Sequence, residues 1–261
     1  MTVTDFFEKV VTGKDAVLCC VGDSITYGLI HCTAEETYTA KLAAQFGFKY
    51  PDTAVLRYDG NCGTGDYDTI DGYTGPVLVH SGEKGSLTVI RNGVGGNTVS
   101  RLIRRVDDFT VLLPNGIKPD VMTVMTGIND ALSEDPNKYV TPEQFKLNYR
   151  DLLKLLAERL PDTAVVLLTP SYNDMGVDDK SRLEPYCEAV KSLAEEYSLP
   201  LIDVHFLWMN HLIPGSEHFG QRDWLSDSKY DSCHPTPLGA EMTARYIFDS
   251  MVSLSKQGKE N

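Results

Sequence analysis

Five short apolar runs dictate the architecture open to this 261-residue chain: AVLCCV (16–21), LTVIR (87–91), VMTVMT (121–126), AVVLLT (164–169) and PLIDV (200–204). Each is rich in β-branched residues and nearly continuous in its apolar character, the signature of a strand covered on both faces rather than one. Between most of them lie segments whose apolar residues recur with helical spacing, at 36–47, 98–108, 142–160, 181–197 and 237–254. Buried strands alternating with helices require parallel pairing through crossover connections. The expected class is therefore α/β, a three-layer α/β/α sandwich around a central, mostly parallel five-stranded sheet.

Residues 50–86 break that rhythm. They hold seven glycines, several aspartates and Tyr50, Tyr58, Tyr67 and Tyr73, and they lengthen the first crossover well beyond an ordinary strand–helix unit. An elaborate loop is expected there, with a hairpin formed by PVLVH and SLTVI around Gly82-Glu83-Lys84-Gly85. No internal repeat interrupts the chain, and the polar tail SKQGKEN is its sole low-complexity tract. One domain over residues 1–261, carrying the 50–86 insertion, is the expected organisation; a chain this long with 42% hydrophobic residues can bury the core it needs.

The net charge of −13 sets a field that repels phosphate, which argues against nucleic acid and anionic membranes as partners. A small-molecule or oligosaccharide substrate of weak charge fits better. The start MTVTDFFEKVV lacks the basic residues and long apolar core of a secretory signal, and no run reaches the length of a membrane span, so a cytoplasmic protein is expected. Cys19 and Cys20 are adjacent within a core strand, and no cysteine pair has the spacing of a zinc site. Neither a metal nor a cofactor is expected.

In open α/β sheets the chemistry gathers beyond the carboxyl ends of the strands. After the first run, VLCCVGDSITYG (17–28) opens into a small polar turn with Ser24 at its centre. Taken alone, that turn reads first as a helix cap. After the second, RNGVGGNT (91–98) sets Gly93, Gly95 and Gly96 before a helix, and after the third, TGIND (126–130) supplies the side-chain amide of Asn129. Near the other end, YDSCHPTPLGAEMTARYI (230–247) spaces Asp231 and His234 three positions apart, ahead of prolines that introduce the last helix. That spacing lets a carboxylate reach the imidazole Nδ1–H and leaves Nε2 facing outward, as a general base requires.

The blocks GDSIT, GVGGNT, GIND and DSCH, in this order from residue 17 to about 247, resemble the four blocks of the SGNH hydrolase superfamily, also called GDSL esterases and lipases. The resemblance implies the flavodoxin-like fold of those enzymes. It also implies Ser24 as nucleophile, His234 as general base and acid, Asp231 as the group orienting the histidine, and an oxyanion hole made by the backbone N–H groups of Ser24 and Gly96 with the amide of Asn129. The residue types suit that chemistry. A serine hydroxyl needs a neighbouring base to attack a carbonyl, and the oxyanion that forms needs preorganised donors.

The expected function is a serine esterase that hydrolyses short-chain acyl esters through an acyl-enzyme, deacetylating a carbohydrate. The tyrosines of 50–86 and Trp224 are candidate platforms for a sugar ring, Trp224 being equally readable as a buried anchor. A lysophospholipase, thioesterase or arylesterase on the same fold is the alternative. A non-catalytic carbohydrate-binding protein is disfavoured, because binding needs no nucleophile and base together.

Overall fold

The computed structural model describes residues 1–28, 31–62, 69–132, 138–172, 180–210, 224 and 233–258. Among them a seven-stranded sheet forms from β1 (Ala16–Gly22), β2 (Ala54–Cys62), β3 (Ile70–His80), β4 (Ser86–Gly93), β5 (Val121–Met125), β6 (Ala164–Leu168) and β7 (Leu201–Ile202), in the order β3-β2-β4-β1-β5-β6-β7. All neighbours pair in parallel except β3, which runs antiparallel to β2. The five apolar runs are β1, β4, β5, β6 and β7. β1 and β5 are buried almost throughout, as strands covered on both faces must be.

The helices in chain order are α1 (Val3–Thr12), α2 (Ser24–Tyr27), α3 (Tyr38–Lys49), α4 (Val99–Arg104), α5 (Ile128–Leu132), α6 (Pro142–Arg159), α7 (Lys180–Tyr197), α8 (Val204–Asn210) and α9 (Pro237–Gln257). One layer packs α1 and α3 against α9, through a cluster in which Phe46 meets Phe6, Phe7 and Phe248. The opposite layer packs α6 against α4 and α7, with Phe145 edge-on to Tyr149 and Tyr186. The three-layer α/β/α sandwich is thus present. None of the helices, among the described residues, is long and apolar enough to cross a membrane.

The strand count and the 50–86 segment correct the sequence expectation. Residues 76–80 do not pair with 86–90; they lie in β3 and pair with β2, with Val55 opposite His80 and Leu56 opposite Leu78. β2 in turn sits between β3 and β4, so the long crossover contributes two strands at the edge of the sheet. β2 escapes an apolar pattern because two of its inward positions are charged. Arg57 and Asp59 are both buried, and Nε of Arg57 donates to Oδ2 of Asp59 at 3.0 Å, while Nε of Arg91 on β4 lies 3.1 Å from the other carboxylate oxygen. A buried charge is tolerated only when paired in this way. The PVLVH half of β3 is a strand as its sequence suggests but pairs with β2, and as an edge strand it leaves Val77 and Leu78 in solvent.

The order β4-β1-β5 makes a switch point. From β1 the chain skips outward to β2 and the edge strand β3, returns to fill the gap beside β1 with β4, then crosses to build the other side from β5. Loops after β1, β4 and β5 therefore diverge at one place, which leaves a crevice beyond their carboxyl ends.

Candidate active site

The turn after β1 is both a helix cap and a serine mount, with the two duties divided. Asp23 is the N-cap of α2, its carboxylate accepting from the Ile25 N–H at 3.0 Å, and Ser24 is the first helical residue. A first-turn N–H has no intrahelical acceptor, so that of Ser24 is available to a ligand. Gly28, at φ 82°, closes this single turn by donating its N–H to the Ser24 carbonyl at 2.9 Å. The turn is seated on β4: a Cβ on Gly93 would come within 2.2 Å of the Tyr27 nitrogen and 2.8 Å of the Asp23 carbonyl oxygen.

His234 precedes α9, whose N-cap Thr236 accepts from the Gly239 N–H at 3.2 Å and whose first residue is Pro237, suited to a position that needs no donor. Its Nε2 lies 2.8 Å from Oγ of Ser24, across 210 residues of chain. A hydroxyl in hydrogen-bond contact with an imidazole is the arrangement that a serine nucleophile and its base require. Cys233 Sγ stands 3.6 Å from Nδ1 of the same ring. Asp231, expected to orient the imidazole, lies outside the described residues.

The other two residues expected to donate to an oxyanion lie in the two other loops. Gly96 follows β4 in the left-handed region, at φ 70°, and the Asn97 N–H closes the turn on the Val94 carbonyl at 3.3 Å. Asn129 stands at the start of α5, and its Nδ2 donates one hydrogen to the Asn97 carbonyl at 3.0 Å. That bond aims the amide, which carries a second hydrogen for a ligand. Ser24, Gly96, Asn129 and His234 thus come from the loops after β1, β4 and β5 and from the lead into α9.

One residue behind these loops was not singled out from the sequence. Arg105 is buried, and its guanidinium donates from Nε to Asn97 Oδ1 at 2.7 Å, from one terminal nitrogen to Asn92 Oδ1 at 2.5 Å, and from the other to the carbonyls of Asn92 at 3.1 Å and Gly22 at 3.2 Å. It ties the end of β1 to the end of β4 and to the glycine loop. Burial lowers its proton affinity, opposed by the charge of Asp108, whose carboxylate lies 3.7 Å away.

Two carboxylates underlie the site. Burial pushes Asp23 up to about 7, against the Ile25 N–H bond that favours its charged form. Burial likewise pushes Asp130 up to about 7, although both its oxygens accept from the Val99 N–H at 3.3 Å. Asp130 thereby holds the first turn of α4 to α5.

The candidate sugar platforms are placed elsewhere. Tyr50 packs on Phe7 and Phe46 in the helical layer, the Tyr58 hydroxyl accepts from Asn115 at 3.2 Å, and the Tyr73 hydroxyl donates to the Asp108 carbonyl at 2.9 Å. Tyr67 lies outside the described residues. Trp224 is a buried anchor, edge-on to Trp208 with ring centroids 5.3 Å apart. Among the described residues no three His, Cys, Asp or Glu side chains gather as a metal site would require.

Residues 59–242 match the model of the GDSL-like lipase/acylhydrolase family, a span that begins after Ser24. A GDSL esterase/lipase of Arabidopsis thaliana is 33% identical over 132 residues, 48% of this chain and 52% of that protein, so the match spans about half of the relative's length. Among solved structures, the acetylxylan esterase Axe2 of Geobacillus stearothermophilus superposes with a TM-score of 0.62 at 21% identity, over 92% of this chain and 96% of the other. The acetyl xylan esterase AlAXEase gives a TM-score of 0.62 at 20% identity, over 90% and 98%. At such identities the likeness is one of fold.

Proposed function

The chain belongs to the GDSL-like lipase/acylhydrolase family, and from that premise we propose that it is a hydrolase acting on ester bonds, a serine esterase that removes short acyl groups, acetyl foremost, from a carbohydrate. The observation that carries the mechanism is the 2.8 Å contact between Ser24 Oγ and His234 Nε2. With Nε2 bare and Nδ1 protonated, the imidazole takes the hydroxyl proton as Oγ attacks the ester carbon. The oxyanion that forms is held by the N–H groups of Ser24 and Gly96 and by Asn129 Nδ2, and each such donor contributes roughly 10²–10³ in rate. The imidazolium then gives its proton to the leaving alkoxide. Water repeats the sequence on the acyl-enzyme, losing a proton to Nε2 and releasing the acid and Ser24. Asp231 has the role of holding Nδ1–H and stabilising the imidazolium.

The whole chain acts in this reading as one hydrolase domain with residues 50–86 widening its sheet. Support for a short acyl group on a sugar comes from solved structures of similar fold that are acetylxylan esterases. The test is a panel of p-nitrophenyl esters from acetate to decanoate beside acetylated xylo- and manno-oligosaccharides, with Ser24→Ala as control. Specificity constants that fall steeply from acetate, deacetylation of at least one oligosaccharide, and loss of all turnover in Ser24→Ala are the expected results. Rates that rise with chain length refute the short-acyl reading, because added methylenes then find an apolar wall to bury against. Turnover within tenfold of wild type in Ser24→Ala refutes the nucleophile.

A further inference from the structure

The surroundings of Gly96 carry a charge that the reaction itself does not require. A Cβ placed on Gly96 would lie 3.2 Å from Nζ of Lys138 and 4.0 Å from its Cε, with a guanidinium nitrogen of Arg101 at 3.8 Å. The same Arg101 nitrogen donates to the Gly96 carbonyl at 3.5 Å. Two covalent bonds separate that Cβ position from the Gly96 nitrogen, so the ammonium lies within roughly 6 Å of the N–H assigned to the oxyanion. A side chain at position 96 would meet Lys138 before it met anything else. Glycine leaves the ammonium room to stand over the loop.

The buried cations Arg57, Arg91 and Arg105 each have an aspartate against them. Lys138 is half-buried and has no carboxylate within ion-pair distance among the described residues. The assigned oxyanion donors are all neutral, two backbone N–H groups and one amide, and they suffice for a charge that exists only while the carbonyl is under attack. A full ammonium beside them adds attraction for a charge the substrate carries permanently. The chain's net charge of −13 repels anions at long range, so a substrate of that kind needs a local cation where its ester is read.

We propose that Lys138 is a specificity-determining residue that binds a carboxylate or phosphate on the ester substrate, close to the scissile carbonyl. The proposal rests on the esterase reading above and narrows its substrate to an anionic ester. The anion can belong to the acyl part, as in a hemiester of a dicarboxylic acid, or to the alcohol, as in an acidic sugar; the recognition chemistry is the same.

Matched ester pairs separate the two sources and test the idea. An aryl hemisuccinate against the aryl butyrate probes the acyl side, and para-acetoxybenzoate against para-acetoxybenzamide probes the alcohol side. In one pair the anionic-to-neutral ratio of kcat/KM should fall about tenfold or more in Lys138→Met, the yield of one ion contact in a partly desolvated site. Lys138→Arg should keep the ratio, and in wild type it should shrink as salt approaches about 1 M, where the Debye length is near 3 Å. The proposal is overturned if Lys138→Met leaves the ratio unchanged in both pairs, or lowers both members of a pair equally, which would make Lys138 a general support of the loop. Absence of turnover by wild type on every ester of both pairs, anionic and neutral alike, is a different result, which removes the esterase reading and this proposal with it.

Discussion

Replacing Arg105 by lysine keeps the charge and removes the geometry that the guanidinium supplies. The arginine is 3% exposed and reaches four acceptors on three segments, Asn97 Oδ1, Asn92 Oδ1, the Asn92 carbonyl and the Gly22 carbonyl. A lysine has one nitrogen and cannot span them, so at least two buried acceptors lose their donor. At about 1.5–3 kcal/mol for each bond to a charged group, the loss comes to roughly 3–6 kcal/mol. Set against a total stability of about 5–15 kcal/mol, the variant should fold but unfold at markedly lower denaturant. The catalytic effect passes through Asn97, whose side chain Arg105 holds and whose carbonyl aims Asn129. Outright loss of one oxyanion donor costs roughly 10²–10³ in rate, so loosening one should lower kcat about 10- to 100-fold with little change in KM. Urea melts followed by tryptophan fluorescence suit the measurement, since Trp208 and Trp224 are both buried and would report loss of the core. An Arg105→Lys protein within about 1 kcal/mol of wild type, and equal to it in kcat, would refute this account of the strand ends.

Gly93→Ala should abolish activity and lower stability together, because its Cβ would strike the backbone of the serine turn at Tyr27, 2.2 Å away, which no rotamer change relieves. Ester turnover and thermal melting check both parts, and a fully active Gly93→Ala enzyme would contradict the seating of α2 on β4. Asp130→Asn should flatten the pH dependence of stability. The folded value of about 7 lies above the ordinary carboxylate value, so the native state keeps a proton that the unfolded chain releases, and the resulting stability is full below about pH 4 and lost as pH rises through 7. Wild type should therefore melt lower at pH 8 than at pH 5 by more than Asp130→Asn does, and equal slopes would show that Asp130 does not bind that proton.

The five apolar runs were readable as strands because parallel strands covered on both faces leave no polar side to disguise them. β2 was not, since Arg57 and Asp59 satisfy one another and Arg91 only once β2 and β4 lie side by side, and nothing local announces that pairing. The same distinction runs through the site. Ser24, Gly96, Asn129 and His234 are each ordinary turn or cap residues and stand out as candidates only as a set, because the chemistry of acyl transfer asks for those types together. Arg105 stands among RLIRRV, where three arginines fall within five positions, and no property of the string separates them. Burial does: Arg104 faces solvent, Arg101 is half-buried at the Gly96 loop and Arg105 is enclosed at the strand ends, each position set by where α4 stops against the sheet. The described tyrosines of 50–86, Tyr50, Tyr58 and Tyr73, show the converse case. Their number suggested a platform for sugar rings, yet a tyrosine in an added strand must first find a partner for its hydroxyl. Tyr73 donates to the Asp108 carbonyl and receives a bond from Asn92, the residue that Arg105 grips, so its hydroxyl is committed to the strand ends behind the Gly96 loop. Composition names the groups a chain can use; which of them reach the ester depends on what the scaffold takes for itself.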